Sequence, residues 1–399
     1  MTPVELSRTV LRAVRRAVDA GELSVTVPER AVVTVPGPGG CGDYATGIAL
    51  QLARPAGLPP RDVAEIIRAR LLTGRAGQAD DTDQADQTDH ADDTDHRIED
   101  VVITGPGFLN IRLRDTASAT LVEEIQERGK RYGHATGFSG DVWQLQAAHE
   151  VRAVVVADAL GRIMRSQGAA VRVTCTTRPA PEWETGLGVR LDAYGKRVFP
   201  GPLVVNIRPA PALSDPVRLG RDAGRWALLH PASHDGPRIG DDYLVQRESN
   251  PLFRVRYAHA RIRAVSRNAA DLGFDAEPQA LPETEARPKP QPRPRPGTKS
   301  QTEPEPGTDT ATDAKNLLTH LADHPRVLAH AAEDRAPDRL ARHLVTVADA
   351  VTPLLAAVLP CGEEKPSAAH RARLALAEAA GTVLAGGLSL LGIDAPEHL

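Results

Sequence analysis

Hydrophobic spacing changes character along the chain. At the start, Val10, Leu11, Val14 and Val18 recur at helical spacing behind a capping box of Thr2, Pro3 and Glu5, and Gly21 ends the run. Arg8, Arg12, Arg15 and Arg16 fall elsewhere on this helix. Ala31–Val35 reads as a short strand. Gly42–Ala49 opens a helix with Ile48, Leu50 and Leu52 apolar, and Pro60–Leu72 is a further helix. Val101–Leu113 reads as a β-hairpin bent at Gly105-Pro106-Gly107. Helix, strand, helix, helix, hairpin is an α+β module.

The pattern then shifts. Asp115–Arg131 reads as a helix, Trp143–Gln146 as a strand, Val151–Gln167 as a helix and Ala170–Thr174 as the next strand, the start of a parallel α/β unit. Asn250 and Pro251 are N-cap and first-turn residues for a long helix. On it, Ile262 and Val265 point one way, while Arg256, Arg263 and Arg267 share the other face with His259 near its edge. From Lys315 onward the spacing is helical throughout: Leu317, Leu318, Leu321, Val327 and Leu328, then Leu340, Leu344, Val347 and Val351, then Leu374 to Leu391.

Two stretches have no core-forming pattern. Ala79–His96 is three tandem hexapeptides, ADDTDQ, ADQTDH and ADDTDH, without a large apolar residue, and is expected to be disordered. It lacks the Gly and terminal Glu of a calcium loop. Within Glu277–Thr312, prolines alternate with polar residues from Pro288 to Pro296, which predicts a stiff linker.

Composition narrows the chemistry. The 399 residues suffice for two or three domains. Lys plus Arg total 48 against 52 Asp plus Glu, so nucleic-acid binding would need local patches, and 3% aromatics leave few rings for stacking on bases. Cys41, Cys175 and Cys361 are scattered, which argues against zinc and disulfides and suits a reducing cytoplasm. No apolar run approaches the length of a membrane span, and no membrane partner is expected. Pro36–Gly42 is Gly-rich but lacks the Gly-Lys-Ser/Thr ending of a phosphate loop. The strongest local charge is Arg254, Arg256, Arg261, Arg263 and Arg267, with no acid before Asp271. Such a stripe is either a solvated face or a phosphate-contacting one.

The words of that helix carry a resemblance. Asn250, Pro251, Val255 and the run Tyr257-Ala258-His259-Ala260-Arg261-Ile262 resemble the segment joining the catalytic and anticodon-binding domains of arginyl-tRNA synthetases. Gly42-Asp43-Tyr44-Ala45-Thr46 with the later Gly105-Pro106-Gly107-Phe108 hairpin is similar to their N-terminal additional domain, which meets the tRNA corner; the family usually has Asn where Gly47 stands. The last helix and its Gly392-Ile393-Asp394-Ala395-Pro396-Glu397 ending resemble the DALR anticodon-binding domain.

The resemblance implies α/β plus all-α architecture: an N-terminal α+β domain (1–132), a pruned Rossmann-like catalytic remnant (133–249), a basic connecting helix (250–274), a proline-rich linker (275–314) and a helical anticodon-type bundle (315–399). It also implies a broken active site. The family's H-x-G-H signature falls on Ala147, Ala148, His149 and Glu150, so no catalytic residue is expected there. The lysine-rich motif would fall near Arg197–Pro202 and is absent, and a central block walling in arginine is missing. RNA contacts are expected at Arg256, His259, Arg263, Arg267, Tyr44, Arg339, Arg342 and His343; no metal or cofactor is expected. The aromatics of the family's middle bundle helix have become His343, Val347 and Leu355, and the bundle's charge leans acidic. Six of the 13 histidines lie there, so mild acid is expected to shift that balance. The reading is a non-catalytic paralogue that binds tRNA or another structured RNA. The alternatives are an ATP-dependent arginine–tRNA ligase with degenerate motifs and a scaffold that partners the active synthetase.

Overall fold

The computed structural model describes residues 2–34, 36–37, 41–73, 98–113, 116–195, 203–280 and 310–398. The Asp-rich repeat, the 196–202 loop and the proline run lie outside these. The described residues form two compact units, 1–121 and 122–399.

The first unit begins with α1 (Pro3–Asp19), whose capping box forms as expected: Glu5 N donates to Thr2 Oγ1 at 3.2 Å, and Thr2 N to Glu5 Oε2 at 2.7 Å. Next come β1 (Val33–Thr34), β2 (Tyr44–Thr46), α2 (Ile48–Ala56), α3 (Pro60–Thr73), β3 (Ile98–Thr104) and β4 (Phe108–Leu113). The strands form an antiparallel sheet in the order β1-β2-β4-β3. Leu6, Val10 and Val14 of α1 join Ile48, Leu52, Val63, Ile67, Leu109 and Ile111 in one core.

One expectation is corrected here. Residues 44–46 are not the start of a helix but an inner strand, buried at all three positions and paired on both sides. A β-propensive Tyr-Ala-Thr beside β4 outcompetes the helical spacing, which takes over only at Ile48.

The second unit opens in α4 (Thr116–Arg128) and a 3-10 turn at Gly129–Arg131. Then follow β5 (Val142–Ala147), α5 (Val151–Ser166), β6 (Ala170–Cys175), α6 (Pro181–Gly186), β7 (Ala193–Tyr194), β8 (Leu203–Ile207) and α7 (Gly220–Leu229). The sheet is wholly parallel, ordered β7-β6-β5-β8, with α5 packed on it. The strand order reverses beside β5, and in such sheets the crevice at that switch point is the usual ligand site.

The long helix α8 (Pro251–Asp271) has Asn250 as N-cap, as expected, and packs on the bundle helices α10 (Pro337–Leu354) and α11 (Ala368–Leu391). The remaining bundle helix, α9 (Thr310–Glu333), begins inside the segment read as linker. Pro337–Ala357 and Ala368–Leu391 are long and apolar enough to cross a membrane, a signal that the search for one unbroken run missed because Glu378, Thr382 and Ser389 interrupt the second. In the fold, 56% and 83% of their most apolar windows are buried.

A buried ion pair ties the α/β layer to the bundle. Arg225 of α7, wholly buried, donates to Asp158 Oδ2 of α5 at 2.7 Å and to the carbonyls of Leu391 and Leu187. Arg162 reaches the same carboxylate at 3.1 Å. Gly392 caps α11 at φ 75°, and a Cβ there would overlap the Arg225 guanidinium, so both conformation and space require glycine.

Candidate nucleic-acid interface

The switch point of the parallel sheet is closed by the chain itself. Glu150 is the N-cap of α5. Its Oε1 accepts from Arg152 N at 3.0 Å and from Ala212 N at 3.2 Å, and its Oε2 accepts from Ala153 N at 2.9 Å. Arg152 N and Ala153 N are orphan amides of the kind that hold phosphate at the start of such a helix. Ala148 N donates across the crevice to Ile207 O at 3.3 Å. His149 is engaged locally: its Nε2 lies 3.0 Å from Arg178 O and its ring 5.1 Å from Trp183.

The segment folded over the crevice is pinned by Arg152. All five guanidinium N–H donors are taken by backbone carbonyls: Leu228 from Nε, Ala210 and Asp235 from Nη1, Pro231 and Ala232 from Nη2, at 2.6–3.0 Å. Sequence reasoning missed this residue, although an arginine opening the apolar run Ala153–Ala157 was a usable signal. A carboxylate thus occupies the two helix amides that a nucleotide's phosphates would use. Glu150→Ala should cost about 1–2 kcal/mol, read as a lower midpoint in urea unfolding.

The arginine stripe of α8 lies where its spacing placed it, but the chain's own acids face it. Arg256 lies 3.6 Å from Asp222, Arg263 3.5 Å from Glu397 and Arg254 2.9 Å from Asp349. Arg267 meets His398 Nδ1 at 3.4 Å. Arg339 pairs with Asp334 at 2.8 Å and Arg342 with Asp338 at 3.0 Å. The more exposed of these pairs contribute little stability, and all of them offset the charge that would attract a polyanion.

Three expected contact residues are corrected outright, because packing removes them from the surface. His259 is buried with Nδ1 2.9 Å from Pro396 O, and burial pushes its pKa down. Tyr44 belongs to the core of the first unit. His343 is buried and stacks 5.2 Å from His324, which itself stacks 5.9 Å from Tyr132.

A concavity among the described residues lies in the first unit. A cavity of about 350 Å³ is lined by Val32, Thr34, Thr46, Gly47, Ile48, Gln51 and Phe108. Phe108, 42% exposed, stands at the hairpin tip, where Gly107 at φ 144° approaches Pro60 so closely that a Cβ would lie 2.8 Å from its carbonyl oxygen. The hydroxyl of Thr46 is buried without a hydrogen-bond partner among the described residues. A ring on one wall and the exposed amide of Gln51 make a slot suited to a single planar, polar-edged group. Gly47 leaves the slot open beside the ring: a Cβ there would sit 3.4 Å from Phe108 Cε1. Phe108 was legible as the one aromatic placed directly after the hairpin glycine. The orphan Thr46 was not, since it depends on the pairing of β2.

This arrangement of an α+β unit, a small parallel sheet and a C-terminal helical bundle is that of the arginyl-tRNA synthetases. Residues 5–76 match the family described as the arginyl tRNA synthetase N terminal domain, and residues 255–399 match the DALR anticodon binding domain. The chain is an arginyl-tRNA synthetase-related protein. It is 37% identical over 186 residues to the arginine–tRNA ligase of Pseudarthrobacter chlorophenolicus, covering 45% of this chain and 30% of that protein. The corresponding ligase of Frankia alni is 32% identical over 209 residues, covering 50% and 33%. The chain thus spans about a third or less of the length of these curated relatives. Its fold matches the Thermus thermophilus arginyl-tRNA synthetase (TM-score 0.61, 15% identity, 100% of both chains). The Plasmodium falciparum arginyl-tRNA synthetase also matches (TM-score 0.62, 9% identity, 100% of this chain and 99% of that one).

Proposed function

We propose that this protein binds tRNA, or another folded RNA, without aminoacylating it. The observation that carries the loss of chemistry is the Glu150 carboxylate seated on the first amides of α5. Adenylate formation needs preorganised donors where charge builds on the α-phosphate, and losing one such donor costs about 10²–10³ in rate. Here the donors are consumed and the group facing them is an anion. The RNA-binding half of the reading is supported by the two matched domains and by the slot beside Phe108.

Two measurements test the two halves separately. Arginine-dependent ATP–pyrophosphate exchange, with and without tRNA, is expected to stay at background; clear exchange would restore the ligase reading. Phe108→Ala is expected to weaken binding of unfractionated tRNA about tenfold, the effect of one base–aromatic stack. Equal affinity for wild type and variant would remove the slot from the interface.

A scaffold role is the second reading. The observation that favours it is the outer strand β8, where Leu203 and Val204 are 55% and 39% exposed. Edge strands with exposed apolar residues invite pairing with another chain.

A further inference from the structure

We infer that the phosphate-contacting surface lies on α1 of the first unit, where Arg8 and Arg15 form a track for the RNA backbone beside the Phe108 slot. The inference rests on the RNA-binding reading and deepens it.

The first observation is the geometry of α1. Leu6, Val10, Ala13, Val14 and Ala17 are at most 2% exposed and seat the helix in the core. Its apolar face is therefore spent, and it is not free to enter a lipid surface as an interfacial helix would. At about 100° per residue, Arg8, Arg12 and Arg15 fall within roughly 60° of one another on the opposite face. Arg8 and Arg15 are exposed and have no acid partner among the described residues. Arg12 is engaged with Thr9, which holds it along the same face. Of the helix's two acids, Glu5 is committed to the capping box, and Asp19 stands in the last turn.

The second observation is the contrast with α8. There Arg254, Arg256 and Arg263 meet Asp349, Asp222 and Glu397. A polyanion would have to displace those acids, whereas at Arg8 and Arg15 it displaces only small counterions. Release of such ions is what drives backbone binding.

The third is position. Ser7 Oγ donates to Ala31 O at 2.7 Å, fastening the turn that carries Arg8 to the strand segment whose next residue, Val32, lines the slot. Arg8 and Arg15 are about 10 Å apart along the axis, enough to meet separate phosphates.

The test measures affinity for unfractionated tRNA against salt concentration. Wild type is expected to show a steep logarithmic slope. The double variant Arg8→Ala/Arg15→Ala should lower that slope by about 1.5, given roughly 0.7–0.9 per phosphate contact. Arg8→Lys/Arg15→Lys should retain most of the slope, and Arg256→Ala/Arg263→Ala should leave it nearly unchanged. Both α1 residues are exposed, and matching melting curves will verify that the variants fold. An unchanged slope in the alanine variant, with wild-type binding intact, overturns the track alone. A wild type that binds no tRNA overturns the RNA reading and the track with it. Capture by phosphatidylserine vesicles in place of tRNA overturns the choice of partner.

Discussion

Acidification from about pH 7 to about pH 4 is expected to remove roughly 3 kcal/mol of stability through His343 alone. Its ring lies between α9 and α10, stacked 5.2 Å from His324, and burial pushes its pKa down to about 4. His324, held by burial and by its neighbours His343 and His134, is pushed well below the usual histidine range. His134 is lowered by its own burial and by Arg131. The other charges facing His343 are Asp323, which favours its protonation, and His320 and Arg326, which oppose it. The sign follows from proton counts. Below about pH 6.5 the unfolded chain takes up protons that the folded rings refuse, so stability falls as pH drops towards the folded pKa. Mild acid therefore does not charge this part of the bundle, as the histidine count suggested; it strains it. Urea unfolding at pH 7 and pH 5 checks this. His343→Leu, which also removes a buried Nε2 without a partner among the described residues, should be nearly neutral at pH 7 and lose much less stability on acidification. Identical pH profiles for wild type and variant would rule the histidine pair out.

Removing the carboxylate of Asp158 should cost about 3–5 kcal/mol, because it strands the fully buried Arg225 guanidinium. Replacing both partners with apolar residues of similar volume should cost much less than the single change, since no charge is left without a partner. A double-mutant cycle of Asp158→Leu and Arg225→Met, read by chemical unfolding, measures the coupling. Additive losses would mean that the pair holds α5 and α7 against α11 only through packing. The expected coupling is large because both charges are buried, so each is costly without the other.

The sequence alone determined most of the helices and strands, because their signals are local. Asn250 and Pro251 start α8, Thr2 and Glu5 cap α1, and the period of Val151–Ser166 makes α5. The expectation that the H-x-G-H signature is missing was equally local, as was the spacing that puts Arg256, Arg263 and Arg267 on one face. What surrounds those residues was decided only by contacts between distant parts of the chain. Asp222 and Glu397 meet the stripe from outside α8, so a charge pattern that looked free is largely paired. The reach of Glu150 to Ala212, 62 residues on, depends on a contact that no local pattern contains. Burial made His259, Tyr44 and His343 core residues, although their side chains suit a surface equally well. Local periodicity fixes which face of an element a residue occupies, but only tertiary packing decides what that face meets.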